Sequence, residues 1–279
     1  MPSKPILKIT KMSGSGNDFI LVDNRSRQVP DSQMAALTKG LCRRMVSVGA
    51  DGMIFIVPSD RYDFKWRFFN ADGSEAEMCG NGGRCAARFA SLKGITGPEM
   101  TFETLAGPIQ ARVDGPVVKL QLTRPKDQRL NQQILVDGLV LHFDFLNTGV
   151  PHTLIWVEDI EKVDPVEVGP KVRFHEHFKP AGTNVNFVQL TPSGLLSVRT
   201  YERGVEGETL ACGTGAVAAA GMAFLKTKLT SPVRVQTRGG EILTVYLEGK
   251  AGQAIDQVYL EGAVRQVFEG EVFEEALDS

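Results

Sequence analysis

The sequence predicts a mixed α+β fold that has many short strands and few helices. Apolar and polar side chains alternate in short segments along much of the 279-residue chain, and this is the period of a half-buried strand. Helical periodicity is confined to a few stretches. Strands and helices do not alternate regularly, so a doubly wound parallel sheet is not expected. A motif repeated in the two halves of the chain indicates that the fold is duplicated.

The strands follow from local alternation. In the range 63–70, three aromatic side chains alternate with Lys65 and Arg67, which gives one apolar and one polar face. The other predicted strands, in chain order, are Ile6–Thr10, Phe19–Asp23, Met53–Val57, Ile109–Val113, Val117–Leu122, Leu141–Leu146, Thr153–Val157, Val185–Leu190, Leu196–Tyr201, Val233–Thr237, Ile242–Leu247 and Gln257–Gly262.

Three helices are predicted. In Asp31–Val46, apolar residues recur at helical spacing behind Pro30, and Asp31 is the expected N-cap. Two shorter helices are expected to begin near Cys79 and Cys212. The polar, proline-broken segment 123–129 is the best interior boundary between the halves.

An internal repeat lies on these two halves. Residues 75–82 align without gaps on residues 208–215, and the shared pattern is E-x-x-x-C-G-[NT]-G. An alanine-rich stretch follows each copy. Two copies with matching downstream helices are best explained by a duplicated half-domain.

The repeat suggests a chemistry. A cysteine that enters a helix through C-G-x-G lies beside free backbone N–H groups and the positive end of the helix dipole, and both lower a thiol pKa. The same N–H groups can hold a carboxylate. If both cysteines face one ligand, a thiolate and a thiol can exchange a proton on opposite faces of a carbanion, as in a two-base racemase or epimerase.

Other site chemistries fit the sequence less well. There is no C-x-x-C pair for a metal, no complete dinucleotide loop, no phosphate-binding P-loop and no G-x-S-x-G serine motif. A Cys–His nucleophile that uses His152 would leave the second cysteine copy without a role. Cys42 is expected to pack in the core. A thiol redox or metal-binding protein built on Cys79 and Cys212 stays an alternative.

The composition indicates a globular protein. Lys and Arg total 31 against 33 Asp and Glu, a net charge of −2, which excludes a broadly basic nucleic-acid surface. The first residues lack the apolar stretch of a signal peptide, and the most apolar run, 215–225, is too short to span a bilayer. Four scattered cysteines do not suggest a secreted disulfide framework. We expect a cytoplasmic protein with no membrane or nucleic-acid partner.

Five segments together resemble the diaminopimelate epimerase family. They follow the family's order and extend over nearly the whole chain, and the two cysteine motifs are the most specific part of the likeness. The segments are KMSGSGNDF at 11–19, FNADGSE at 69–75, CGNGGRC at 79–85, Pro151-His152, and the range 202–215 from Glu-Arg-Gly to Ala-Cys-Gly-Thr-Gly.

The resemblance implies two pseudo-symmetric lobes, each a barrel-like mixed sheet around a central helix, with the active site in the cleft between them. Residues 1–123 would form the N-terminal lobe together with a returning C-terminal strand at 265–279. Residues 124–264 would form the C-terminal lobe. The family also implies a homodimer.

The resemblance further implies interconversion of LL- and meso-diaminopimelate, on the route to lysine and peptidoglycan, with no cofactor and no metal. Cys79 would take the α-proton of the LL isomer and Cys212 would return one, while His152 and Glu202 bias the protonation of the cysteines. The backbone amides of Gly80, Asn81, Gly213 and Thr214 would bind the reacting carboxylate. The distal end of the substrate would be bound by the side chains of Asn17, Asn70, Asn184, Glu202 and Arg203.

Three departures from the family pattern bear on the substrate. Val150 and Gly52 stand where some members have an asparagine and a glutamine that contact the distal end. The segment 202–208 is one residue longer than a common form. A racemase of the same superfamily acting on another amino acid, such as histidine, therefore stays open.

Overall fold

The computed structural model describes residues 5–277, and within them the protein is an α+β fold of strands and a few helices. The chain divides into two compact units. Unit 1 comprises the residues up to Leu120 together with those from Gly262 onward, and unit 2 comprises Gln121–Glu261. Residues 1–4 and 278–279, which the predicted N-terminal lobe includes, lie outside the described residues.

Unit 1 is a mixed sheet with two α-helices. Its elements are β1 (Pro5–Gly14), β2 (Asn17–Asp23), α1 (Asp31–Leu41), β3 (Gly52–Val57), β4 (Phe64–Asn70), α2 (Gly80–Leu92), β5 (Glu99–Thr104), β6 (Gly107–Asp114) and β7 (Val117–Leu122), which passes into unit 2 after Leu120. The part of the last strand from Gly262 onward pairs antiparallel with β1.

Unit 2 is likewise a mixed sheet with two α-helices. Its elements are β8 (Lys126–Val136), β9 (Leu139–Asn147), β10 (Pro151–Trp156), α3 (Pro165–Arg173), β11 (Asn184–Leu190), β12 (Leu196–Glu202), β13 (Gly207–Thr209), α4 (Gly213–Leu225), β14 (Val233–Gln236), β15 (Ile242–Lys250) and the first part of β16 (Ala254–Phe273). Short 3-10 helices cover Ile160–Lys162 and Glu176–Phe178 in unit 2 and Glu274–Leu277 in unit 1.

Strand pairing follows one order in both units. From β1 to β7 the pairs are antiparallel, parallel, antiparallel, parallel, antiparallel and antiparallel. From β9 to β16, leaving out the short β13, the same six orientations recur. Each connection between parallel neighbours contains an α-helix. These helices are α1 and α2 in unit 1 and α3 and α4 in unit 2. This equivalence confirms the predicted duplication and the α+β class with two pseudo-symmetric lobes.

Each sheet wraps around one central helix. Every residue of α4 from Gly215 to Leu225 is buried, and most of α2 is buried as well. Small residues make this possible because strands approach the helix closely. A Cβ atom on Gly83 would lie 2.8 Å from Leu120 Cδ2, and one on Gly221 would lie 3.0 Å from a methyl of Leu146. A larger side chain at either position would displace the sheet.

The first predicted helix is shorter than its periodicity indicated. α1 ends at Leu41 rather than Val46, because Met45 adopts φ +72° and points fully into solvent. The predicted N-cap is also wrong: Pro30 occupies that position without a side-chain bond, and Asp31 is the first helical residue. The Asp31 carboxylate instead accepts a hydrogen bond from Arg67.

Several elements had no clear signal in the sequence. β8 is almost entirely exposed, so it lacks alternation and forms by pairing with β9 through a turn in which Asp137 and Gly138 both have positive φ. α3 contains Pro165 and Pro170, yet Asp164 caps it by accepting from two backbone N–H groups. β5 and β13 were also not predicted, and β16 is much longer than the predicted Gln257–Gly262.

One buried carboxylate ties together three parts of unit 2. Asp144 is 1% exposed and accepts from the Trp156 indole at 2.6 Å, from the Asn131 backbone N–H at 2.8 Å and from Lys226 at 2.8 Å. Lys226 is the C-cap of α4. The charge is therefore fully paired and also orients the end of the central helix.

Asp144→Ala should lower the free energy of unfolding by about 3 to 5 kcal/mol, because it leaves the ammonium of Lys226 without its buried partner. Urea denaturation followed by circular dichroism measures the change. Asp256→Ala, which breaks an exposed ion pair with Arg124, is the matched control and should stay within about 1 kcal/mol of wild type. Equal losses of unfolding free energy in both variants would contradict the stabilising role of Asp144.

Candidate active site

In unit 1, Cys79 occupies the N-cap of α2. Its extended backbone (φ −144°, ψ 119°) leads into the helix, and its Sγ accepts from the Gly82 backbone N–H at 3.4 Å. The N–H groups of Gly80 and Asn81 belong to the first turn, where an α-helix has no internal acceptors. The half-buried sulfur therefore lies at the positive end of a buried helix, which stabilises a thiolate.

In unit 2, Cys212 occupies the same position on α4. Its Sγ lies 3.5 Å from the Thr214 hydroxyl, and the residue is half-buried. Gly215 is required here because a Cβ atom would lie 2.5 Å from Asn186 Oδ1 and 3.3 Å from Cys212 Sγ. Gly213 and Thr214 supply the first N–H groups of this helix. The two predicted helix starts are thus confirmed, each with its cysteine as the capping residue.

The other two cysteines have a different environment. Cys42 is 3% exposed in an apolar cluster with Leu41 and Met53, as the sequence predicted, and burial raises the pKa of its thiol to about 12. Burial also raises the pKa of the Cys85 thiol to about 12. Both stay protonated at neutral pH, so neither is an effective base.

A directed chain of amides surrounds the N-terminus of α2. Arg84 can only donate, so its Nη2 fixes Asn81 Oδ1 as the acceptor at 2.9 Å. Asn81 Nδ2 then donates to Asn17 Oδ1 at 2.7 Å, and Asn17 Nδ2 donates to the Asp51 carboxylate at 2.8 Å. Arg44 in turn donates to Asp51 at 2.8 Å. The orientation of both amides is therefore set by charges at the two ends.

Asn70, the other predicted residue of unit 1, is joined to the neighbourhood of Asp51 through backbone contacts. Asn70 ends β4, is exposed, and donates through Nδ2 to the Ser74 hydroxyl at 3.0 Å. It pairs in register with Gly52, the neighbour of Asp51, and the Asp51 carbonyl accepts from the Ala71 N–H. Unit 1 thus links Asn17 and Asn81 at the helix start that Cys79 caps, whereas the Asn70 side chain bonds Ser74.

In unit 2, a buried network determines the tautomer of His152. Asn186 Nδ2 donates to the Thr153 carbonyl at 3.0 Å, and Asn186 Oδ1 accepts from the Thr200 hydroxyl at 2.9 Å. The amide orientation is fixed, so its nitrogen also donates to His152 Nδ1 at 3.1 Å. Nδ1 is the acceptor, and the hydrogen of the neutral ring is on Nε2.

The charge state of His152 follows from its burial. The side chain is fully buried, and this burial lowers its pKa from 6.5 to about 3; Arg203 contributes in the same direction. Within residues 5–277, His152 Nε2 has no hydrogen-bond partner. The imidazole is therefore a neutral hydrogen-bond donor at physiological pH and not a proton acceptor.

Of the remaining predicted residues of unit 2, Asn184 lies beside His152 and contacts the backbone of Arg203. Asn184 pairs with His152 in register, donates to the Pro151 carbonyl at 3.0 Å and accepts from the Arg203 backbone N–H at 2.8 Å. Glu202 ends β12, and burial raises the pKa of its carboxyl, while a hydrogen bond from the Thr209 hydroxyl at 2.9 Å opposes the rise. Thr209 lies three residues before Cys212.

Of the three departures from the family pattern, the one at Gly52 has a structural explanation. A Cβ atom on Gly52 would lie 2.6 Å from the Phe69 carbonyl oxygen, so this backbone leaves no room for a glutamine. Val150 lies in a tight turn where its carbonyl accepts from the Thr148 N–H. In the longer segment, Glu206 adopts φ +56° and accepts from the Gly204 N–H at 2.9 Å. The segment therefore contains a closed turn between Gly204 and Glu206.

Sequence reasoning missed the residues that orient these groups. Asp51 and Asn186 hold Asn17 and His152, but neither stands in a motif that marks an orienting role. Asn184 and Asn186 are two residues apart on β11 and therefore share one face of the strand. This pair of amides was the sequence signal that could have revealed Asn186. Over residues 5–277, no helix is long and apolar enough to cross a membrane. The same range contains no group of three His, Cys, Asp or Glu side chains that could hold a metal ion.

The fold is shared with solved structures of low sequence identity. A hydroxyproline epimerase from Agrobacterium vitis, solved with bound trans-4-hydroxy-L-proline, is 17% identical with a TM-score of 0.72, over 96% of this chain and 93% of its own. A phenazine biosynthesis protein of the PhzF family from Bacillus anthracis is 18% identical with a TM-score of 0.69, over 96% and 99%. By fold, the chain belongs with this class of two-unit α+β proteins.

Sequence relatives narrow the class to one family. The family profile described as "Diaminopimelate epimerase" matches residues 9–125 and 145–266. The diaminopimelate epimerase of Aquifex aeolicus (strain VF5) is 47% identical over 98% of this chain and 100% of its own. That of Hydrogenobaculum sp. (strain Y04AAS1) is 46% identical over 94% and 97%. The chain belongs to the diaminopimelate epimerase family and is an isomerase of the racemase and epimerase kind, as its motifs indicated.

The buried His152 should make stability depend on pH. Its folded pKa of about 3 lies below the unfolded value of 6.5, so between these values the unfolded chain binds more protons. The free energy of unfolding should rise with pH across this window, by up to about 1.4 kcal/mol per unit from this group, and the gain is complete above 6.5. Urea denaturation at a series of pH values measures the slope.

His152→Gln should flatten this slope, because it removes the titrating ring. The exposed His142, changed to Gln, is the matched control and should keep the wild-type slope. A His152→Gln slope equal to that of wild type would show that the ring is not held neutral by the fold.

Proposed function

We propose that this protein interconverts LL- and meso-diaminopimelate without a cofactor, by moving the α-proton between two thiols. The observation that carries the proposal is the cysteine at the N-cap of the central helix in each of two equivalent units. Family membership supports the substrate, because relatives at 38–47% identity are named diaminopimelate epimerases. The product would supply lysine and peptidoglycan synthesis.

Inversion at the α-carbon requires a base on one face and an acid on the other. In the forward direction, the Cys79 thiolate would take the α-proton of the LL isomer, and the Cys212 thiol would give a proton to the opposite face. In the reverse direction the roles exchange. The positive helix end beside each sulfur lowers the cost of its thiolate form, so either cysteine can serve as the base.

The same helix ends would bind the reacting carboxylate. Proton removal places negative charge on the carboxylate as an enolate-like species, and N–H groups aimed at it stabilise that charge. We assign this role to the backbone amides of Gly80, Asn81, Gly213 and Thr214. All four lie in the first turns of the two central helices, where N–H groups have no internal acceptors.

Recognition of the distal amino-acid end requires a cation and several amides. Arg203 would bind the distal carboxylate, because its planar guanidinium matches two oxygens. Asn17, Asn70 and Asn184 would contribute amide groups. Asn17 uses its oxygen and one amide hydrogen within unit 1, so one amide hydrogen is left for a substrate oxygen. Glu202 would accept from the distal ammonium.

His152 and Glu202 would influence the protonation of the cysteines in different ways. His152, neutral with the hydrogen on Nε2, would donate a hydrogen bond and so favour an anionic group beside it. Glu202, whose pKa is raised by burial, would hold a proton more readily than an exposed carboxylate. We further propose a homodimer, as the family resemblance implies, and a cytoplasmic location, as the composition indicates.

Cys79→Ala and Cys212→Ala should each reduce epimerisation at least about a hundredfold, because one face of the α-carbon loses its acid or base. In deuterated water, wild type should incorporate deuterium at the α-carbon as LL-diaminopimelate becomes the meso isomer, and mass spectrometry detects it. Cys42→Ala removes a buried thiol outside the site and is the matched control. Retained hydrogen at the α-carbon, or a single cysteine variant with near-normal rates, would contradict the two-thiol scheme.

Substrate choice can be tested with a panel of amino acids that includes histidine and proline. Exchange of the α-hydrogen should be fastest with diaminopimelate, by at least about a hundredfold, because only its distal end satisfies the predicted cation and amides together. Nuclear magnetic resonance in deuterated water follows each substrate. Faster exchange with another amino acid would favour the alternative racemase, for which the residues at 150 and 52 are the sequence motivation.

A further inference from the structure

An arginine–glutamate pair recurs in the two units just before the cysteine. Glu75 and Glu208 are the first residues of the repeated motif, each four residues before its cysteine. Arg199 donates through Nε and Nη2 to the two carboxylate oxygens of Glu208, at 2.6 and 2.8 Å. Arg67 makes the same two-point contact with Glu75, from Nε and, at 3.0 Å, from Nη2. We call each pair a clamp.

The two clamps occupy equivalent places in the fold. Arg67 lies on β4 and Arg199 on β12, the strands that precede the central helices. Each glutamate also pairs in register with a residue of that strand, Glu75 with Phe69 and Glu208 with Tyr201. The clamp therefore fixes the start of the short segment that leads from the strand into the cysteine.

Each arginine also reaches a third segment. Arg67 Nη1 donates to the Asp31 carboxylate at 2.8 Å, at the start of α1. Arg199 Nη1 donates to the Val163 carbonyl at 2.7 Å, just before α3. In both units the arginine thus joins the strand, the cysteine segment and the connection that leads into the other helix.

The clamps differ from ordinary surface ion pairs. The side chains of Arg199 and Glu208 are 12% and 17% exposed, and those of Arg67 and Glu75 are 20% and 29% exposed. Those of Arg25 and Asp23, also a two-point pair, are 44% and 36% exposed. Two parallel hydrogen bonds fix the carboxylate in plane, and limited solvent reduces screening. A partly buried pair of this geometry restricts the position of its segment more than an exposed pair does.

We propose that each clamp positions the cysteine of its own unit: Arg67 and Glu75 hold Cys79 at the N-terminus of α2, and Arg199 and Glu208 hold Cys212 at the N-terminus of α4. The four residues act through the cysteine segment and do not touch the reacting atoms. Their importance for catalysis rests on the proposed function. Their effect on the thiols does not, and it can be measured without any substrate.

The test is the rate at which iodoacetamide alkylates each cysteine, resolved by mass spectrometry across pH. Arg67→Lys keeps the charge but loses the two-point contact, so Cys79 should leave its aligned position at the helix end. The apparent pKa of Cys79 should rise, and its alkylation at neutral pH should slow by about threefold. The alkylation rate of Cys212 should change by less than a third as much. Arg199→Lys should give the reciprocal result.

Two matched controls and two second variants make the result specific. Arg25→Lys in unit 1 and Arg129→Lys in unit 2 alter exposed two-point pairs and should change neither cysteine. Glu75→Gln and Glu208→Gln break the clamps from the carboxylate side and should reproduce the own-unit effects.

Folded variants whose own-unit cysteine reacts as in wild type would overturn the proposal, as would equal changes in both cysteines. Loss of folding in both variants of one clamp would also overturn it, in favour of a purely structural role. An inactive wild type with normal clamp effects would instead refute the proposed function and leave the clamps standing.

Discussion

The structure depends on one constraint, the unsatisfied N–H groups at the start of a helix that is surrounded by its own sheet. The N–H groups of such a helix end need acceptors. Cys79 Sγ accepts from the Gly82 N–H of α2, and Cys212 occupies the N-cap of α4 without a side-chain hydrogen bond to that helix. Alanine and glycine in α2 and α4 let the strands close around the helix, so the body of the helix is buried while its capping cysteine stays half-buried. The same packing that buries the helix therefore creates a polar, positively polarised point where a thiolate and a carboxylate are both stabilised.

Much of this arrangement could be predicted because it depends on local signals. The repeat of E-x-x-x-C-G-[NT]-G located both central helices and both capping cysteines, and alternation located most strands. The failures have physical causes. β8 gives little alternation because Ile134 is the one buried residue of its eleven. α3 contains two prolines, which usually break a helix, and the apolar Met45 extended the apparent period of α1 although it lies in solvent.

The contacts that orient the site could not be predicted, since they join residues far apart in the chain. Asn17 meets Asp51 and Asn81, and His152 meets Asn186, only after parallel strands pair. The neutral state of His152 depends on complete burial, which composition does not reveal. The first glutamate of the motif was visible in the sequence in both copies. Its role became clear only from the structure, where it pairs with an arginine of the preceding strand.

The duplicated helices have diverged at one buried position. Arg84 of α2 corresponds to Val217 of α4 in the gapless alignment of the repeat, and both are fully buried. One copy thus carries a guanidinium that directs the neighbouring asparagine, and the other carries a hydrocarbon. The halves are consequently no longer interchangeable: a chimera that copied either helix into the opposite unit would bury an arginine among apolar neighbours or remove the anchor of Asn81. The two units thus keep matching backbones, but their central helices are adapted to different surroundings and cannot replace each other.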